Sequence, residues 1–366
     1  MHNKIRWLTE RLPPVERIWR RSEPDFYGAS YVIARQIGKK TPPVSLAAWR
    51  HGWFFSKSIV HPRFLSMGSK NTLNLVGTQR QALLLNEFGY KRVEAVGLPY
   101  IYVDSLARPR RKGSLLVMPA HTLPYTEQRW DQEAYVASIA KLRKSFSIIV
   151  ACVHNACVAH GYWTTLFERH GIPWVLGADS YDKNALIRMH TLFNSFEFVT
   201  TNSLGSHVAY AAYSGAKVSL FGSYAAPAYE DFRNDPSYKN YPALLEVYIE
   251  GLQEKVIRFY YPELFVSPIK APVRKDWGAE MIGATNKRTP QEIANLLGWT
   301  PTGQLKGYCR EGLRLATHPS ALFGLFERRR LAKHDTPYHP KKQEINETTV
   351  PQNSLNTAGN DSQTQI

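Results

Sequence analysis

Short apolar runs alternate with stretches in which apolar residues recur every three or four positions, and this rhythm holds from position 73 to position 221. Leu73–Val76 and Val93–Val96 have the length of strands, and they flank Gln79–Phe88, a helical pattern closed by Gly89. Further on, the pattern predicts strands over 114–118, 147–153, 174–176, 196–200 and 217–221. Helices are predicted between them over 131–144, 161–170, 184–194 and 205–213. Strands that alternate with helices of about ten residues are βαβ units, which build parallel sheets. The expected fold is therefore α/β, with two facing Rossmann-like doubly wound domains.

Beyond Phe221 the strands stop. Tyr241 to Tyr260 reads as one long helix, Thr289–Trp299 as a short capped one and Tyr308 to Arg330 as a third. From His334 onward Asn, Thr, Gln, Ser and Lys dominate without aliphatic periodicity, the composition of a disordered tail. Ser105–Ser114, polar and punctuated by Pro109 and Gly113, reads as a linker. The resulting division is a first domain over 1–105, a linker over 106–113 and a second domain over 114–270. A helical segment over 271–332 and a tail over 333–366 complete it.

The longest apolar run, Ser147–Val153, falls far short of the roughly 18 residues of a bilayer span. The N-terminus lacks the apolar core of a secretory signal, and Cys152, Cys157 and Cys309 provide no disulfide framework, so a reducing cytoplasm is expected. The chain of 366 residues carries 46 Lys and Arg against 30 Asp and Glu, a formal charge of +16, which calls for an anionic partner. Basic residues cluster at Arg17/Arg20/Arg21, at Arg108/Arg110/Arg111/Lys112 and at Arg328/Arg329/Arg330. Such clusters read either as solvated faces or as contacts to an anionic inner-membrane surface. Charge and 12% aromatic residues also suggest a nucleic-acid-binding module, but no RNP-type, zinc-finger or helix-turn-helix signature accompanies them, and no nucleic-acid partner is expected.

The most informative stretch is Phe196–Phe221, where a strand ends in Thr200, Thr201, Asn202 and Ser203 and small residues Gly205 and Ser206 open a helix that includes His207. In open parallel sheets ligands sit beyond the carboxyl ends of strands, and amides at the next helix N-terminus bind anions, so a phosphate fits here. An ordinary Ser- or Asn-capped turn is the alternative. His121, in Met118-Pro-Ala-His121, stands at the end of a second such strand, as a phosphoryl contact or a loop cap. His51 and Gly52 form an isolated HG pair, and Asp179, Asp182 and Arg188 follow a further strand, either near the same crevice or as a helix N-terminus favoured by carboxylates.

Cys152-Val-His-Asn-Ala-Cys157 and His160 have the residue types of a metal knuckle, yet Cys152 lies in an apolar strand and no second knuckle follows; both cysteines read as small apolar residues. Glu246 and Glu254 match an E-x7-E spacing without the glycines that usually accompany it. The chain has no G-x-x-x-x-G-K-[ST], no G-x-G-x-x-G and no D-x-D, which disfavours P-loop, dinucleotide and metal–diphosphate chemistry.

The order of His51-Gly52, Gly97-Leu-Pro99, Met118-Pro-Ala-His121, Thr200-Thr-Asn-Ser203 and Lys217-Val-Ser-Leu220 resembles GT-B-type glycosyltransferases of bacterial surface polysaccharides, capsule and lipopolysaccharide. These include the glycerophosphotransferase and polysialyltransferase-like relatives, and the resemblance covers roughly positions 45 to 300. It implies a transferase that moves a sugar from a nucleotide-activated donor to a glycan or glycolipid acceptor, peripheral on the inner membrane face, with no metal or resident cofactor. It further implies that His51 is the base acting on the acceptor hydroxyl. Thr201, Asn202, Ser203, Gly205, Ser206 and His207 would hold the donor phosphate, and His121 would be a further donor contact. The chain departs from the glycerophosphotransferase pattern at Thr-Asn-Ser, where an Asp-containing turn is common, which argues against glycerol phosphate as the transferred group. A nucleotide-sugar epimerase of the same fold is the alternative enzyme.

Overall fold

A computed structural model describes residues 2–57, 59, 61–104, 109–122, 126, 128–232 and 242–317. It contains two parallel sheets. The first is three-stranded, with β1 (Ala48–Trp49), β2 (Asn74–Val76) and β3 (Val93–Ala95) side by side in that order. The second has five strands, β4 (Arg111–Met118), β5 (Ile148–Val153), β6 (Trp174–Leu176), β7 (Phe196–Thr201) and β8 (Lys217–Leu220), in the order β6-β5-β4-β7-β8.

Both faces of the second sheet are covered because its strands are apolar on both sides. Leu115, Val117, Ile149, Ala151 and Phe198 join one cluster with Tyr135, Val136 and Ile139, while the alternate residues Leu116, Val150 and Val199 join another. The first cluster is covered by α4 (Gln132–Lys141), α5 (Asn155–Ala159) and α6 (Thr164–Arg169), and the second by α7 (Ala185–Ser195) and α8 (Ser206–Tyr213). Earlier in the chain lie α1 (Arg6–Thr9), α2 (Ala29–Gln36) and α3 (Gln79–Glu87); later come α9 (Pro242–Gly251), α10 (Glu254–Tyr260), α11 (Lys275–Met281), α12 (Pro290–Leu296) and α13 (Pro301–Thr317).

The elements depart from expectation where local breakers act. The helix expected over 161–170 is shorter, α6 at Thr164–Arg169, and it is preceded by an unexpected short helix, α5, which ends before Gly161 (φ +73°). The long helix ending at Tyr260 is two, α9 and α10, with Gln253 in extended conformation between them; Tyr241 lies outside the described residues. The third C-terminal helix begins earlier than expected, at Pro301, and its expected end at Arg330 lies outside the described residues, as do the tail over 333–366 and residues 105–108 of the linker. The last linker residues, Arg111–Gly113, are the opening of β4, which exceeds its apolar stretch because Gly113 N–H donates to Glu197 Oε2 at 2.7 Å.

Among the described residues the first sheet has three strands, and residues 2–28 contribute none to it. They lie instead along the second sheet: Ile18 N–H donates to Tyr181 O, Lys183 N–H donates to Glu16 O, and Trp7 packs on Phe196 at 5.6 Å. Conversely the chain beyond α11 returns to the first sheet. Leu98 N–H donates to Ile282 O and Leu46 N–H to Leu297 O, and Gly283 (φ +69°) sits so close to Gly77 that an added Cβ would lie 1.8 Å from the carbonyl oxygen. One apolar cluster runs from Trp49, Leu75 and Val96 to Leu116, Val150 and Val199, joined through Tyr100 stacked on Tyr210 at 4.2 Å. The two sheets therefore share a core rather than standing as insulated lobes.

Candidate functional site

Within the second sheet the chain winds outward from β4 to β5 and β6, then returns past β4 to β7 and β8. The strand order reverses between β4 and β7, and beyond the carboxyl ends of such a pair the two loops diverge and leave a crevice. The loops concerned carry Ala120-His121-Thr122 and Asn202–His207.

The loop after β4 is pinned on both sides of His121. Ala120 N–H donates to Asn202 Oδ1 at 2.9 Å, and Ala120 O accepts from the Trp163 indole Nε1 at 2.9 Å. Thr122 N–H donates to Cys157 Sγ at 3.3 Å, and the Thr122 hydroxyl meets Thr126 Oγ1 at 2.7 Å. Trp163 is fully buried yet holds φ at +70°, a strained conformation for an aromatic residue, kept there by its N–H donating to Gln132 Oε1 at 2.8 Å and by Trp130 stacked at 5.5 Å. Between these anchors the His121 side chain itself is exposed, stacked on His154 at 4.8 Å.

After β7, Thr201 Oγ1 donates to Ser203 O and accepts from Ser203 N–H, a tight local turn, and Asn202 Nδ2 donates to Ser223 O. Thr201 and Asn202 are thus buried and committed to the loop framework, while Ser203, Gly205, Ser206 and His207 are half-buried at its rim. Gly205 is extended and no side chain caps α8; the Val208 amide donates back to Gly205 O at 3.0 Å, which leaves the amides of Ser206 and His207 for whatever occupies the crevice. The loop after β1 docks against that turn. Trp53 N–H donates to Ser206 Oγ at 2.9 Å, and the Tyr210 hydroxyl donates to His51 O at 2.5 Å. His51 and Ser206–His207, separated by more than 150 residues, are therefore brought to one place.

Enclosure of the rings, in the otherwise exposed His121 by the stacked His154 and its own loop, lowers the pKa of each histidine in this region. It pushes His51 down to about 3, with Arg50 and Arg20 adding to the effect, and His207 down to about 3, with His121 adding; His154 falls well below its ordinary value and His121 falls as well. Each of the four is thereby held toward its neutral imidazole form. His51 lies parallel to Phe26 at 5.1 Å, with Tyr27 (φ +57°) tilted beside it.

Asp179, Asp182 and Arg188 are engaged with the N-terminal segment, beside Tyr27, whose N–H donates to Ser180 O at 3.1 Å. Asp182 Oδ1 accepts from Glu16 N–H and Asn184 N–H at 2.8 and 2.9 Å, Asp179 pairs with Arg17 at 3.3 Å, and the Arg188 guanidinium donates to Pro13 O and Leu176 O. They fasten the N-terminal segment across the loop after β6. Cys152 and Cys157 are buried thiols, both pushed up to about 12, and among the described residues no group of three or more His, Cys, Asp or Glu is placed to hold a metal ion. A cavity of about 170 Å³ opens beyond β7 and β8, lined by Asn202, Phe221, Tyr224, Arg258 and Phe265, with the Arg258 guanidinium 3.9 Å from the Phe265 ring centre.

The sequence pattern did not single out His154, Trp163 or the Phe26–Tyr27 pair. His154 was visible only as part of the supposed metal knuckle, and no sequence signal marks a tryptophan in the left-handed region.

No protein-family profile matches the chain, and no curated protein matches it. Among solved structures, one of a mutant S. aureus TarM in complex with fondaparinux, alpha-GlcNAc-glycerol and UDP aligns with a TM-score of 0.30 and 11% identity, over 62% of this chain and 43% of that one. This chain thus aligns with less than half the length of that protein.

Proposed function

We propose that this protein is a glycosyltransferase that moves a sugar from a nucleotide-activated donor to a glycan or glycolipid hydroxyl. The observation that carries the reading is the convergence at the strand-order reversal: an uncapped helix N-terminus beside neutral imidazoles, with the HG loop of the first sheet docked against the same turn. A departing nucleotide phosphate gains negative charge as the glycosidic bond breaks, and amides fixed at α8 stabilise that charge without reorganising. Gly205, Ser206 and His207 form the phosphate side of this site, Thr201, Asn202 and Ser203 shape its turn, and His51 closes it from the first sheet. The cavity beyond β8 offers Tyr224, Phe265 and Arg258 to the non-reacting part of the donor. In this reading the phosphate charge is met by amide dipoles and side chains, with no resident cofactor or metal.

Incubating the purified chain with a panel of sugar nucleotides and short glycan acceptors, and measuring released nucleotide, tests the reading. Acceptor-dependent release of nucleotide is expected. Conversion of a sugar nucleotide without any acceptor points to the epimerase reading, and no turnover of any donor overturns glycosyl transfer. Among the described residues no helix is long and apolar enough to cross a membrane. Peripheral attachment at an anionic surface, the proposed working location, predicts co-sedimentation with phosphatidylglycerol vesicles that is lost as salt rises toward about 0.5 M, where the screening length falls to a few ångströms.

A further inference from the structure

His121 and His154 lie against one another, 4.8 Å between ring centres and 28° between planes, at the carboxyl ends of the adjacent strands β4 and β5. Their backbone partners fix opposite tautomers. His121 Nδ1 meets Thr122 O at 3.3 Å; a carbonyl oxygen only accepts, so the neutral ring carries its proton on Nδ1 and leaves Nε2 a bare lone pair. His154 Nδ1 meets the backbone N–H of Ala156 at 3.2 Å; that amide only donates, so the neutral ring carries its proton on Nε2. The stacked pair thus offers one acceptor and one donor, the complement of a single hydroxyl group, which donates one hydrogen bond and accepts another. An oxyanion, which only accepts, matches one ring and not the other.

We infer that His121, not His51, is the proton acceptor for the attacking hydroxyl, and that His154 is the donor that orients that hydroxyl; this rests on the glycosyl-transfer reading above. The hydroxyl oxygen accepts from His154 Nε2–H and points its own hydrogen at His121 Nε2. As the oxygen bonds to the anomeric carbon, its proton passes to His121, and the bond from that carbon to the donor phosphate breaks with its electron pair leaving on the phosphate. The imidazolium so formed keeps its Nδ1–H on Thr122 O. His51 is less suited to this role. Two guanidinium groups, of Arg50 and Arg20, act against its protonation, its Nδ1 is buried without a partner, and no hydrogen bond selects its tautomer. His121, by contrast, stands on a loop whose neighbours on either side are held by Asn202, Trp163 and Cys157, as a base that must keep its geometry during transfer requires.

Long-range nitrogen–proton NMR of the full chain, labelled at histidine, reads the tautomers directly. His121 is expected as the Nδ1–H form and His154 as the Nε2–H form; the two rings in the same tautomer overturn the inference. His121→Gln and His154→Phe are then compared with the parent protein for binding of pyrophosphate and for transfer. Both variants are expected to bind pyrophosphate within about threefold of the parent, since the phosphate side belongs to α8. Transfer is expected to fall at least a hundredfold in kcat for His121→Gln and to show mainly a raised acceptor KM for His154→Phe. Loss of pyrophosphate binding in His121→Gln would make His121 a phosphate contact and overturn its role as base. If the parent transfers no sugar, the glycosyl-transfer reading fails at the first assay, and the tautomer measurement still decides whether the two rings form a donor–acceptor pair.

Discussion

At the residue scale several arginines, most of them half-buried, are committed to partners within the molecule. Arg17 pairs with Asp179, Arg20 lies 3.6 Å from the Tyr181 ring centre, Arg21 donates to Pro42 O, and Arg110 donates to Ser214 O. Two of the three basic clusters thus act in part as staples, an outcome that charge counting alone does not reveal because it carries no information about which carbonyls and rings a guanidinium will reach. His51, His121 and His207 stood out in the sequence as an HG pair, a strand end and a helix start, and their loops lie near one another in the structure, whereas Trp163 was illegible because its role depends on a positive φ that no side-chain pattern encodes. Trp163→Phe keeps the ring stack on Trp130 but leaves Ala120 O without its indole donor. Cys157 Sγ remains as a weak donor to that carbonyl at 3.7 Å, so the loss is that of one hydrogen bond, about 0.5–1.5 kcal/mol, and the urea midpoint of the variant is expected to fall accordingly. An unchanged midpoint would mean that the Ala120 carbonyl finds another donor and that the loop is held by Asn202 and Cys157 alone.

At the element scale the second sheet was legible nearly strand for strand, because buried parallel strands are short apolar blocks and each is followed by a helix with its own punctuation. Trp174–Leu176 falls where its apolar block lies, and α3, expected from Gln79, is preceded by Thr78 as N-cap with a complete capping box to Gln81. Thr78→Ala removes that cap and is expected to lower stability by about 1 kcal/mol, measured by denaturant unfolding. The packing of α11 on α8 was not legible. It depends on Gly278, where an added Cβ would lie 2.3 Å from the Tyr213 backbone nitrogen, and on the run of alanines that keeps that face of α8 thin. Gly278→Ala must push the helices apart. A loss of about 1–3 kcal/mol is expected from such overpacking, larger than the gain in helix propensity from replacing a glycine, so the melting temperature should fall. A rise in melting temperature would show that α11 is free to shift and that the contact does not constrain α8.

At the scale of the whole molecule, the described terminal segments are exchanged between the two sheets. The N-terminal residues lie on the second sheet, the residues beyond α11 lie on the first, and the shared core places partly or wholly buried histidines between the elements that meet there. His51 and His207, held down to about 3, and His190, held down to about 4 by burial with Arg110 adding to it, are all neutral in the folded chain and take up protons readily once unfolded, with an ordinary pKa near 6.5. For a base whose folded pKa is depressed, the unfolded state binds more protons between the two values. The stability these sites allow is therefore complete above about pH 6.5 and is lost as pH falls toward 4 and then 3. Because His51 and His207 sit on opposite sides of the contact between the HG loop and α8, acid should loosen that contact together with the fold. Urea midpoints measured from pH 7.5 to pH 4.5 are expected to fall steadily through this window, and His51→Phe combined with His207→Phe should flatten the slope even if it lowers the midpoint at neutral pH. A midpoint independent of pH over that range would mean that these imidazoles protonate without unfolding, and so that water reaches the seam between the two sheets in the folded protein.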